Sequence, residues 1–256
     1  LDRQSRLQHV IIVSEGCCSG FQALIVGTYQ YRALFIEEVK MKEKRAVLVA
    51  ALLIVLSIPL LTTMLATESV AFSERFYLKQ YEILNLKQAT GFSSQEYKRF
   101  SQALWEYYRN QISSPQVLIP SPNGPKPLYQ EHEIAHLADV RHLFRVGWIG
   151  RNLALLLLAA GTGLIWTVRK SRAGLTVIAA VAGGSGAGIA CFLILLLAVR
   201  LDFNHAFTFF HIISFDNMLW QLDPATDNLI KLFPEQFFLN ATVAIATRVL
   251  GALSVL

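Results

Sequence analysis

The sequence predicts an all-α membrane protein: four transmembrane helices with a small, mainly helical extracytoplasmic cap. Three observations point there. Of its 256 residues, 54% are hydrophobic and only 16% charged, and the mean hydropathy is +0.42, too apolar for a soluble domain of this size. Four runs, at 46–65, 146–168, 173–199 and 237–256, have about the 20 residues with which an α-helix crosses a hydrocarbon core of about 30 Å. The cations of the +5 formal charge gather beside these runs, as membrane orientation requires. No aromatic-basic motif accompanies them, which sets nucleic acid aside as a partner.

The elements follow in chain order. Residues 1–40 carry no long apolar run and no clear period. The chain opens on Leu1, whereas Met41 followed by Lys42, Glu43, Lys44 and Arg45 makes a more natural beginning with a basic head. Residues 1–40 are therefore expected to be an N-terminal extension outside a membrane domain spanning 41–256. Ala46 to Leu65 is uncharged and longer than the roughly 7 to 15 apolar residues of a cleavable signal, so it reads as the first span, with a kink expected at Pro59.

Residues 66–145 are polar, with helix signals of their own. Ser93 and Glu96 fit a capping box, after which Tyr97, Phe100, Leu104, Trp105, Tyr107 and Tyr108 make an apolar face on a helix to about Gln111. Five prolines between Ser113 and Pro127, with Asn123-Gly124, predict loop or turn. A further helix is expected from about Glu131 to Phe144. Val146 to Val168 is the second span, with Arg151 placed to reach the interface. Ala173 to Val199 is the third, and its Gly183, Gly184, Gly186 and Gly188 suit close helix packing. Phe237 to Leu256 is the fourth; it contains Arg248 and ends without a polar flank, as a truncated C-terminus would.

Lys42, Lys44 and Arg45 precede span one, and Arg169, Lys170 and Arg172 separate spans two and three. Both sites are cytoplasmic by the positive-inside rule, and the two assignments agree in parity. Residues 66–145 and 200–236 then share the extracytoplasmic side and form the cap, bringing His136 and His211 to one face. Adjacent Cys17 and Cys18, with Cys191 in an apolar run, supply no disulfide or metal framework.

The chemistry concentrates in two stretches. His132-Glu133-Ile134-Ala135-His136 is an H-E-x-x-H string, which on a helix would set two histidines on a zinc ion beside a general base. Asp139 and His142 follow at the spacing of the longer metalloprotease motif, but Asp139 stands where that motif needs a turning glycine. The same helix also places Glu133, His136 and Asp139 at successive i, i+3 positions, where a carboxylate beside an imidazole makes a metal-free general base. A solvated face with incidental histidines is the plainer reading. The second stretch, Phe207 to Phe238, is too polar for hydrocarbon and too rich in Phe for a solvated loop, and so reads as an interfacial cap segment. It holds His211 among aromatics, with Asp216, Asn217, Trp220 and Asp223 following. No nucleophile elbow, phosphate loop or dinucleotide fingerprint is present.

The pattern Glu133-x-x-His136-x-x-Asp139-Val140, then Phe210-His211-x-Ile213-x-Phe215, then Trp220-x-Leu222-Asp223-Pro224-x-x-Asp227-x-Leu229-Ile230-x-Leu232-Phe233-Pro234, resembles the four-span bacterial family of lipoprotein intramolecular transacylases over about residues 41–256. The second block carries the specificity. The resemblance implies O-to-N transfer of the sn-2 acyl chain of a diacylglyceryl-Cys to the α-amino group of that Cys, giving a lyso-lipoprotein in the bacterial plasma membrane. It implies His136 and His211 as the catalytic pair, in either order of base and acid; from the residues around them, Glu133, Asp139, Asp216, Asn217, Trp220 and Asp223 are expected to support the pair. It implies no metal and no cofactor; the partners are a diacylated lipoprotein and membrane lipid. Two other classes fit the residues: a membrane-anchored zinc protease using His132, Glu133, His136 and His142, and a non-catalytic lipoprotein-binding scaffold. The sequence does not specify an oligomeric state.

Overall fold

The computed structural model describes residues 19–256, which are mostly helical. Cys17, Cys18 and the first part of the expected extension lie outside the described residues. Two compact units are distinguished, one ending at Leu48 and one from Val49 to Leu256. In the first, Lys42 Nζ pairs with Glu38 at 2.8 Å on an exposed helical surface, a contact of small energetic weight. Helix α1 is Ser19–Ala71, so helix covers the latter half of the stretch in which no period was legible. It runs on through Pro59, and the Thr63 hydroxyl donates to the Pro59 carbonyl at 2.6 Å.

The second unit has two cores of different composition. One is aromatic. Helices α2 (Glu74–Ile83), α3 (Leu86–Thr90) and α4 (Ser94–Tyr108) bury Tyr77, Tyr81, Leu86, Tyr97, Phe100 and Trp105 against Leu137, Leu229, Leu232, Phe233 and Phe237. The capping box is present: Ser93 Oγ accepts from Glu96 N–H at 3.3 Å, and the Glu96 carboxylate accepts from Ser93 N–H at 2.8 Å. The proline-rich stretch is not wholly loop. β1 (Leu118–Ile119) and β2 (Lys126–Pro127) pair antiparallel, across a turn in which Gly124 takes φ +101°, a backbone conformation open to glycine. Gln116 closes the segment by donating to the Tyr129 carbonyl at 2.7 Å and accepting from its N–H at 3.0 Å.

The other core is aliphatic. Helices α5 (Glu131–Arg169) and α6 (Ala173–Leu201) are joined by a 3-10 turn at Lys170–Arg172 and pack on each other. Helix α7 is Phe203–Ser214, α8 is Asn228–Leu232 and α9 is Glu235–Ser254. Ala50, Ile54, Ile58, Ile165, Ala180, Val249 and Leu253 are buried together. The helix expected to end near Phe144 and the span expected from Val146 are one continuous α5, because no Gly, Pro or capping residue interrupts the sequence between them. Among the described residues, three stretches are long and apolar enough to cross a membrane: Leu34–Ala71, Glu131–Leu201 and Glu235–Ser254. The middle one, of 71 residues, contains both α5 and α6.

Polar groups at the edge of the aliphatic core find partners. Arg151 Nη1 lies 2.8 Å from each carboxylate oxygen of Glu68, and Arg248 donates to Ser69 Oγ at 2.6 Å. Of the four glycines singled out in α6, Gly184 is the one pressed on a backbone: a Cβ there would stand 2.9 Å from the Val55 carbonyl oxygen. At Gly186 it would meet nothing within 4 Å. Gly184→Val is therefore expected to cost about 1–3 kcal/mol, seen as a lowered Tm in detergent, with Gly186→Val near wild type.

Candidate active site

Helix α5 supplies the first imidazole. Gln130 caps it, and Glu133, fully buried, turns one carboxylate oxygen back to the Gln130 N–H at 2.7 Å. The other oxygen accepts the Leu229 N–H of α8 at 2.6 Å. The expected partnership of Glu133 with His136 is thus replaced by two backbone bonds. Buried carboxylates require such donors, and amides are the nearest ones. His136, 7% exposed, instead packs against Phe215 at a ring distance of 5.2 Å, and its Nδ1 is buried without a hydrogen-bond partner among the described residues.

Helix α7 supplies the second. Asp202 caps it by accepting the His205 N–H at 3.0 Å, and His211, also 7% exposed, lies on its inner face. His211 Nδ1 is 2.7 Å from the Phe207 carbonyl oxygen. A carbonyl can only accept, so Nδ1 carries the proton and Nε2 keeps the lone pair of the neutral ring. Trp220 lies over the same imidazole at 4.8 Å, and Phe207 meets it edge-on at 4.4 Å. The two imidazole centroids, from residues far apart in sequence, are 6.2 Å apart.

Of the remaining expected residues, Asn217 and Asp139 meet: Asn217 Nδ2 donates to Asp139 Oδ2 at 2.9 Å, while Asn217 Oδ1 accepts the Leu219 N–H at 2.9 Å. This ties the loop after α7 to the face of α5 that bears His136. Asp216 is exposed. Asp223 is exposed and accepts the Ala225 N–H at 2.8 Å, which makes it a turn residue. The structure does not bring these two to the imidazoles.

Asp227, quoted in the sequence pattern but given no role there, is a buried hub. It accepts from Asp223 N–H at 2.8 Å, Thr226 Oγ1 at 2.9 Å and Gln130 Nε2 at 3.2 Å. His132 Nε2 lies 2.9 Å from Oδ2, the oxygen that also accepts the Asp223 N–H. The two histidines of the H-E-x-x-H string therefore address different neighbours. Among the described residues, no group of three or more His, Cys, Asp or Glu is placed to hold a metal ion. The sequence could have flagged Phe215 and Asp227, which stand in the quoted pattern; nothing local marks the Phe207 carbonyl.

With this geometry in hand, residues 52–238 match the family described as lipoprotein intramolecular transacylase Lit. The chain belongs to the lipoprotein intramolecular transacylase Lit family. That match covers most of the chain, and the Lit family makes this chain an acyltransferase whose activity is lipoprotein intramolecular acyl transfer. The fold agrees. The in meso structure of the membrane integral Lit from Bacillus cereus is similar with a TM-score of 0.66 at 22% identity, over 83% of this chain and 93% of that one. Two variants of the same Bacillus cereus Lit also match at 22% identity. One, with a histidine replaced by arginine, has a TM-score of 0.67 over 86% and 92% of the two chains. The other, with a histidine replaced by alanine, has 0.64 over 87% and 93%. None of the curated proteins matches.

Both imidazoles lie outside the span expected from Val146, and burial disfavours the charged form of each. Burial, then the neighbouring His211, pushes His136 down to about 4 against the opposing pull of Asp139. Burial likewise lowers His211, against the Phe207 carbonyl, which favours the protonated ring. A histidine whose folded pKa is depressed loses stabilisation as pH falls from its ordinary value, near 6.5, towards the folded one. Thermal stability is expected to fall as pH drops from 6.5 towards 4, and His136→Asn is expected to flatten that fall. A pH series of Tm values checks both.

Proposed function

We propose that His136 and His211 act together on the ester of a diacylated lipoprotein at the extracytoplasmic face of a bacterial plasma membrane. The observation that carries this reading is the 6.2 Å ring separation of two buried imidazoles, one of which has its tautomer fixed by a backbone carbonyl. An α-ammonium, with an ordinary pKa of about 7.7–8.0, must lose a proton before attacking a carbonyl. His211 Nε2 is the base. The amine of the N-terminal Cys attacks the sn-2 ester carbonyl, and His211 takes the proton that the nitrogen sheds. His136 donates to the developing oxyanion. Collapse breaks the bond to the glycerol oxygen, which receives the proton back from His211, leaving an amide and a free hydroxyl.

Attacking nitrogen and ester belong to one molecule, so positioning supplies much of the rate, with effective molarities of roughly 10⁵ M or more in well-oriented cases. Phe207, Phe215 and Trp220 keep the imidazoles uncharged and dry. Asp139 and Asn217 hold the loop over them, and Glu133 sets the start of α5. Glu133, Asp139, Asn217 and Trp220 are positioning residues in this reading. Residues 41–256 form the working domain. The 71-residue stretch is read as two passes broken at the basic Lys170–Arg172 turn, which with α1 and α9 makes four, and the aromatic core with α7 forms the cap outside.

Mass spectrometry of a diacylated lipoprotein co-expressed with the chain tests the reading. The acyl chain is expected on the α-amino group with wild type, and roughly 100-fold or more of the rate is expected to disappear with His136→Ala or His211→Ala. His132→Ala should keep most activity, whereas a zinc site built on that string would lose it. A lipoprotein that retains its diacylglyceryl form and a free N-terminus beside wild type would contradict the proposal.

A further inference from the structure

Arg109, just past the end of α4, and Arg141 and Arg145 on α5 are cations that the acyl-transfer site does not use. The Arg109 guanidinium lies 4.3 Å over the Phe72 ring, and that of Arg141 lies 4.6 Å over Tyr107. The rings beneath them are continuous: Phe72 meets Phe144 at 5.2 Å and Trp148 at 6.3 Å, and Phe144 meets Tyr108 at 5.0 Å. Arg145 stands one turn past Arg141 and is exposed. Among the described residues, none of the three arginines has a carboxylate partner. A guanidinium stacked on a ring keeps its N–H edge free, and that edge suits a phosphate.

A second observation identifies what the edge would meet. Arg141, Arg145, Ile149 and Leu153 recur at intervals of four and so share a face of α5. Ile149, Leu153 and Leu156 on that side are 62%, 50% and 68% exposed. The cations thus head an exposed apolar track that runs about 16 Å from Arg145 to Leu156 at 1.5 Å per residue, roughly one leaflet of hydrocarbon. Trp148 and Phe144 stand between the cations and this track, aromatic side chains of the kind that gather at a membrane interface. We infer that Arg109, Arg141 and Arg145 form a binding site for the phosphate of an anionic outer-leaflet phospholipid whose acyl chain lies along Ile149, Leu153 and Leu156. The placement in the outer leaflet rests on the orientation proposed above.

Native mass spectrometry of the detergent-purified full chain, equilibrated with equal amounts of phosphatidylglycerol and phosphatidylcholine, tests the inference. Wild type should retain phosphatidylglycerol preferentially, and Arg109→Gln and Arg145→Gln, both at exposed positions, should each weaken that preference about five-fold at unchanged Tm. Leu153→Asn should weaken retention of both lipids. Equal retention by wild type, or an undiminished preference in the Arg109→Gln/Arg145→Gln double variant, would overturn the site. So would a double variant that keeps its lipid preference but loses affinity for the lipoprotein, which would give the arginines to the client's peptide. Retention is read without turnover, so failure here leaves the acyl-transfer reading standing, and failure of that reading leaves the retention result intact.

Discussion

A single buried carboxylate holds the site's two halves in register. Glu133 accepts the N–H of Gln130 from its own helix cap and the N–H of Leu229 from a segment 96 residues later. A carboxylate taken out of water is tolerated only where donors replace the lost hydration, and those donors here belong to the beginnings of α5 and α8. Asp227 repeats the arrangement one residue before α8, gathering Gln130, Thr226, Asp223 and His132. The loop between α7 and α8 is therefore clamped at its far end, and Asn217 on Asp139 clamps its near end. Trp220 and Phe215, which wall the imidazoles, ride on that loop.

Such anchoring explains how the site stays both apolar and ordered. Burial in an aromatic pocket favours the neutral form of both imidazoles, and His211 adds to that effect on His136. Neutral histidines are what proton transfer at an ester requires: one ring with a free lone pair and one able to donate. The carbonyl of Phe207 settles the first ring's tautomer within its own helix, one turn back. The proposed chemistry then depends on two elements being set against each other, which is the task of the clamps and of the aromatic core behind them.

Much of this was legible in the sequence. Apolar run length marked the long helices around the aliphatic core, the Ser93 and Glu96 pairing marked the start of α4, and the expectation that His136 and His211 share a face agrees with their 6.2 Å separation. What escaped was tertiary in origin. Spacing of i, i+3 puts Glu133 beside His136 on a helix, but cannot show that a backbone amide from α8 competes for the carboxylate and wins. His132 looked like a metal ligand because the string is local, whereas its actual neighbour, Asp227, is 95 residues away. The continuity of α5 through Arg145 and Val146 is hidden for another reason: the sequence changes there from polar to apolar, which suggests a boundary, although neither residue stops a helix.

In the proposed reaction the two imidazoles act as one unit on one substrate. Single-turnover rates on a diacylated lipopeptide for wild type, His136→Asn, His211→Asn and the double variant test it most directly. The double variant should be no slower, within error, than the slower single variant, as for residues that share one step. Losses that multiply would show two independent contributions and contradict it.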